Sequence, residues 1–195
     1  MKYIVTIIAV AFLTIAAQSQ GLYNLTYTMG FGAGETNDFI GSASFRGVTF
    51  EGQGFVTDQI SVGGLFNWQT FYEELAGATY TKGTATLTGT QYRYINAYPM
   101  LLTAHYFMGT DEYEPRFYLG AGLGAYIVDQ EVQAGVWEVS NNNWHFGMSP
   151  DIGMLYPIGM DSYLNLGVRY HYVIKSNDSM DFSWFGLNVG FAWGN

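Results

Sequence analysis

The three histidines and one glycine-rich turn of this chain are the residues whose types could do chemistry. His145 and Ser149 could serve as base and nucleophile of a hydrolase, but only within hydrogen-bond reach of each other. They lie on one face of "WHFGMSPDIGMLY" (144–156), a stretch of two-residue alternation, and four steps at a strand's rise put about 13 Å between them. His105 and His171 are distant in sequence and could meet only across strands. No His-x-His or Asp-x-Asp spacing points to a metal site, and the absence of cysteine removes thiolate ligands and disulfides. Gly120-Ala121-Gly122-Leu123-Gly124-Ala125 fits the G-x-G-x-x-G/A pattern. That fingerprint requires a helix at once, whose N-terminus receives a pyrophosphate. Here the alternation continues through Tyr126 and Val128, so the glycines read as spacers on one face of a strand. No cofactor is expected.

The other candidates are charges. Glu51 and Asp151 stand at mid-strand on polar faces, as do Arg93 and Arg169, with His105, His171 and Arg116 nearer the strand ends. On a soluble surface such charges would be solvated and unremarked. Enclosed in a narrow space they would form a hydrogen-bonded ion network whose pairing has to be close to complete, because an unpartnered buried charge costs about 3–5 kcal/mol.

The elements that must position these residues are strands. Period-two alternation recurs at about 22–33, 45–56, 60–72, 92–107, 116–127, 144–156, 164–174 and 185–193, with no amphipathic helical stripe. On the fourth strand Pro99 interrupts the run and Asn96 falls on the apolar side. The connections alternate. Short ones follow strands two, four and six (Thr57–Gln59, "MGTDEYEP", Pro157–Ser162), and longer polar loops include "ELAGATYTKGTATLTGTQ" and "QEVQAGVWEVSNNN". An even strand count with all short turns at one end is the habit of transmembrane barrels.

Composition says which face meets what. Aromatics make up 18% of the chain and charged residues only 12%, against about 25% charged in ordinary soluble domains. The apolar faces carry Leu, Phe, Trp, Tyr and Met, too bulky for the lumen of eight strands, which side chains just fill. The opposite faces carry glycine and polar residues. Tyr and Trp gather near strand ends (Tyr23, Trp68, Tyr72, Tyr92, Tyr94, Trp144, Tyr156, Tyr172, Trp193), as in the aromatic girdles flanking an apolar band of about 25 Å. The expected fold is therefore all-β: a closed eight-stranded antiparallel up-and-down transmembrane β-barrel, its greasy face outward.

Lys2, the apolar run Ile4 to Ala17 and the small residues of Ala17-Gln18-Ser19 read as a secretory signal peptide over 1–19, leaving 20–195 as one barrel domain. A net charge of -9 without a basic patch argues against nucleic acid.

The "YLGAGLGAY" strand and the closing "WFGLNVGFAW" resemble the small outer-membrane β-barrel domain family of Gram-negative bacteria, the membrane domains of the OmpX and OmpA type, over about Gly21 to Asn195. The resemblance implies residence in the outer membrane among lipids and lipopolysaccharide, as a monomer. It also implies a C-terminal strand read by the barrel-assembly machinery, with Gly186, Val189, Phe191 and Trp193 carrying the signal; this chain runs two residues beyond Trp193. The loops hold an excess of acid (Glu35, Asp38, Glu73, Glu74, Asp129, Glu131, Glu138, Asp178, Asp181 against Arg46, Lys82, Lys175), which could attract divalent cations that bridge lipopolysaccharide phosphates. The function expected is non-enzymatic: a barrel with a packed polar lumen that serves envelope structure or surface interaction through its loops. The alternatives are a narrow channel, a lipid-modifying enzyme and a soluble ligand-binding barrel of the lipocalin sort.

Overall fold

The computed structural model describes residues 21–82, 84–109, 114–134, 137–176 and 179–194. The leader read at 1–19, together with Gln20 and Asp178, lies outside them. Eight antiparallel strands pair in chain order as a closed ring: β1 (Gly21–Ala33), β2 (Gly47–Phe55), β3 (Ile60–Lys82), β4 (Ala85–Met108), β5 (Arg116–Ala134), β6 (Trp137–Pro157), β7 (Ser162–Val173) and β8 (Phe182–Gly194). β8 returns to β1 from Leu22↔Gly194 to Ala33↔Ser183. Closure satisfies the backbone polar groups of the wall internally, the condition for crossing hydrocarbon with strands. No helix among the described residues is long and apolar enough to cross a membrane.

The faces are inverted relative to a soluble barrel. Leu25, Phe66, Leu123 and Val168 are 49%, 47%, 54% and 41% exposed, whereas Glu51 and Arg169 are 5% exposed each. Leucine, phenylalanine and valine left open on neighbouring strands form a continuous apolar belt that only lipid can cover without a large hydration penalty. Tyr23 stacks on Trp193 with ring centroids 6.1 Å apart at the end of the belt where β1 begins and β8 ends. The chain is a transmembrane β-barrel.

Two segments read as loops are strand instead. "ELAGATYTKGTATLTGTQ" continues β3 into β4, paired from Glu74↔Tyr92 to Lys82↔Ala85, and "QEVQAGVWEVSNNN" continues β5 into β6 up to Ala134↔Trp137. β4 and β5 remain paired as far as Gln91↔Ala134. β2 begins only opposite Gln69, and β7 ends opposite Gly147. The upper parts of β3, β4, β5 and β6 therefore project as a sheet beyond the ring. A bulge between Leu75 and Ala78 bends this projection, and Gly77 supplies its left-handed backbone at φ 68°.

The connection from β1 to β2 folds inward over the mouth. It carries one short helix, α1 (Glu35–Phe39), and buries Thr36 and Ile40 completely. Ser183 N–H donates to Thr36 Oγ1 at 2.9 Å, and Asp181 N–H donates to Glu35 at 3.0 Å, so the lid is tied to the start of β8.

The interior is filled in three layers. Nearest the lid is an apolar plug of Ile40, Phe71, Ile95, Tyr126, Val128, Val173, Phe182 and Trp184 with their neighbours. At the opposite end Leu22, Phe107, Tyr118, Leu155, Tyr163 and Ala192 form a second plug. Between them lies the polar layer. The expected packed polar lumen also holds these two apolar plugs, and its ion pairs are confined to the slab between them.

Candidate functional site

The polar layer is built on one row of the strand ladder. Ser61, His105, Gly120, Asp151, Arg169 and Gly186 are successive register partners from β3 to β8. Because the strands of a barrel are tilted and staggered, Arg169 reaches across to Glu51 on β2. Its Nη2 donates to Asp151 at 2.7 Å and to Glu51 at 3.1 Å. His105 Nε2 lies 3.1 Å from Asp151 and 3.7 Å from Glu51. A hydrogen-bonded lattice surrounds this centre: Tyr118 donates to Asn165 at 3.0 Å, Asn165 to Asn24 at 2.9 Å, and Thr28 to Asn188 at 2.7 Å. The cavity left among Asn24, Glu51, Tyr118 and Arg169 measures about 10 Å³, the lower limit for one water.

Gly120 separates His105 from Asp151 on the ladder. A Cβ there would meet His105 Cδ2 at 2.1 Å and Asp151 Oδ1 at 2.4 Å. The missing side chain is the space in which the histidine and carboxylate come together. The glycines of this motif read as spacers, and the space at this one is taken up by His105 and Asp151. Tyrosines fill equivalent space elsewhere, Tyr118 over Gly153 and Tyr126 over Gly147.

Of the seven lumen residues singled out from sequence, the structure brings Glu51, Asp151, Arg169 and His105 together. His105 lies three residues from the end of β4, as expected, and the register nonetheless places it in the row of Asp151 and Arg169. His171 lies in the upper plug, stacked on Trp184 at 4.5 Å, with its Nδ1 3.1 Å from the Tyr126 hydroxyl. Arg93 is not in the network at all. It lies under the lid, where Nη1 donates to the Phe39 carbonyl at 3.0 Å and the guanidinium covers the Phe39 ring at 5.0 Å. The reason is the length of β4, which carries Arg93 above the plug residues Ile95 and Ala97 and out of reach of the carboxylates. Arg116 closes the other end, donating to the Asp58 carbonyl at 3.1 Å while covering the rings of Phe107 and Phe55 at 5.0 and 5.5 Å.

His145 turns its Nδ1 to the Ile174 carbonyl at 3.1 Å and packs edge-on against Phe182. Each histidine is thus engaged by a carboxylate, a tyrosine or a carbonyl. Several acids read as loop charges hold the lid: Glu73 accepts from Gly41 N–H at 3.1 Å and Ser42 Oγ at 3.0 Å. Sequence reasoning missed Trp184 and the lid, although a tryptophan on the strand face opposite Phe185 was the available signal.

Three solved structures share this architecture. Neisserial surface protein A is 14% identical over 89% of this chain and 95% of its own, with a TM-score of 0.53. Ail of Yersinia pestis, the attachment invasion locus protein, solved with the heparin analogue sucrose octasulfate, is 10% identical over 90% and 99%, with a TM-score of 0.53. The outer membrane protein OprG of Pseudomonas aeruginosa is 11% identical over 91% and 96%, with a TM-score of 0.52. The fold is that of the small outer-membrane barrels. At these identities the likeness is one of fold alone. No protein-family model and no curated protein matches the sequence.

Within this outer-membrane-type barrel, the Arg93 contact makes a local prediction. Arg93→Gln removes the cation that holds the Phe39 carbonyl and ring. Amide exchange at Asp38 and Ile40, which bond to Gly34 and Thr36, should then quicken about tenfold, with exchange in the barrel wall unchanged. Unchanged exchange at both amides would show that the ties to β8 alone hold the lid.

Proposed function

We propose that the protein is a non-enzymatic, monomeric barrel of the Gram-negative outer membrane that is sealed to ions and presents its lid and projecting sheet to the outside. The observation that carries this reading is triple closure of the lumen: the Ile40–Trp184 plug under the lid, the Arg169 ion layer, and the Arg116–Phe107 plug at the far end. A continuous ion path would have to open all three. In planar bilayers the folded protein should give no discrete conductance steps. Reproducible steps that vanish on boiling would favour the narrow-channel reading and overturn this one.

Residence in the outer membrane implies removal of residues 1–19 and assembly of 20–195 through the C-terminal strand. Val189, Phe191 and Trp193 are exposed on the outer face of β8, open to the assembly machinery, while Gly186 is buried beside Thr28. Fractionation combined with heat-modifiable migration on a detergent gel tests location and folding together. Recovery of the chain in the soluble periplasmic fraction would rule out the proposal.

A further inference from the structure

On the outer wall the strands change from apolar to polar along one row of the ladder. The row runs Arg46, Thr70, Asn96, Asp129, Asn142: Thr70 N–H donates to the Arg46 carbonyl at 2.9 Å, and the remaining members are register partners in turn. Each strand carries an apolar residue on the membrane side of this row, namely Val48, Trp68, Tyr98, Ile127 and Trp144. Beyond it stand Tyr72, Tyr94, Glu131 and Ser140. The row marks where the wall leaves hydrocarbon and meets lipid headgroups.

Arg46 is exposed at this boundary. Of the seven basic residues, Arg93, Arg116 and Arg169 point into the barrel. Among the described residues Arg46 forms no ion pair with a carboxylate. Its guanidinium lies 5.5 Å from the Tyr72 ring, and Tyr72 lies 5.0 Å from Tyr94 and 6.5 Å from Tyr92, nearly parallel to the latter. A pocket of about 200 Å³ opens here between Ala43, Ser44, Phe45, Arg46, Thr70 and Tyr72. Its wall is pinned, since Tyr27 Oη donates to the Phe45 carbonyl and Ser44 Oγ to the Thr70 carbonyl.

We propose that this pocket binds the phosphorylated sugar headgroup of an outer-leaflet glycolipid, with Arg46 on the phosphate and Tyr72, Tyr94 and Tyr92 against the sugar. The inference rests on the outer-membrane residence proposed above. In such a lipid the acyl chains hang from the sugar and the phosphate is carried on the sugar itself, so a cation 5.5 Å from an aromatic ring, side by side just above the apolar wall, matches phosphate and sugar above the acyl chains. A guanidinium offers the planar fork that phosphate oxygens accept, and tyrosine rings give a sugar an amphipathic face to pack on. The carboxylates of the projecting sheet confine the phosphate: Asp129 and Glu131 lie further round on β5, and Glu74 stands beyond Tyr72, so the Arg46 corner is the cationic one.

The full-length mature chain, folded in neutral detergent, is titrated with phosphorylated lipid A, dephosphorylated lipid A and phosphatidylglycerol, and retained lipid is read by native mass spectrometry. Phosphorylated lipid A should bind about tenfold more tightly than either comparison lipid. Arg46→Gln should erase the preference over dephosphorylated lipid A, and Tyr72→Ala with Tyr94→Ala should erase the preference over phosphatidylglycerol. Equal binding of the two lipid A forms would overturn the phosphate contact. Phosphatidylglycerol bound as tightly as lipid A would overturn the sugar contact, and an unaltered Arg46→Gln would overturn the site. Each variant is checked for heat-modifiable folding, while cell fractionation reads the outer-membrane proposal separately.

Discussion

Replacing Arg169 with methionine is expected to lower the stability of the folded barrel by about 3–5 kcal/mol, read from urea unfolding of protein folded in detergent or lipid vesicles. Methionine fills much of the volume but leaves Glu51 and Asp151 facing each other across a buried layer, with only His105 between them. The loss comes from the two stranded carboxylates rather than from the salt bridge as such, because a buried ion pair by itself stabilises little. The triple variant Arg169→Met, Glu51→Gln, Asp151→Asn should therefore recover most of the loss. If the triple variant is as unstable as the single one, the guanidinium matters through packing, and the charge argument fails.

The part of this layer that could be read from sequence is the part set by period. Once strands β1, β2, β5, β6, β7 and β8 are recognised, alternation alone puts Glu51, Asp151 and Arg169 inward. Which inward charges meet depends on stagger around the ring, and stagger leaves no trace in a single strand. Hence Arg93, equally inward and equally basic, was grouped with carboxylates it does not touch, and it spends its charge on the Phe39 carbonyl. His105 shows the converse. It lies three residues from the end of β4, yet in the register it shares the row of Asp151 and Arg169.

The projecting sheet was hidden for a related reason. Alternation is visible in a sequence only while one face of the strand is apolar and the other polar. Stretches such as "TYTKGTATLTGT" then carry the composition of a loop while keeping strand geometry. The apolar plugs were masked in the opposite sense. Phe71, Ile95, Val128 and Trp184 occupy alternate positions that the period assigns to a polar face, and they are apolar because they fill the lumen above its ion layer.

A glycine scan of the opening motif should separate its three members. Gly124→Ala places a Cβ 2.3 Å from the Met100 carbonyl oxygen and 2.9 Å from Leu101 Cα, so the backbone of β4 has to move. Gly120→Ala collides with His105 and Asp151, side chains held by the ion layer, whereas Gly122→Ala meets Leu101 and Thr103 at no less than 3.1 Å. The first two substitutions should each cost about 1–3 kcal/mol and the third under about 1 kcal/mol. His105→Ala distinguishes the two costly sites: with the imidazole gone, Gly120→Ala should cost less than it does alone, while Gly124→Ala should simply add. Had the motif cradled a phosphate, its backbone would carry the function and removing a histidine on β4 would rescue nothing. Coupling to His105 at Gly120 alone is what a lumen spacer requires, because only there does the absent side chain make room for the ring.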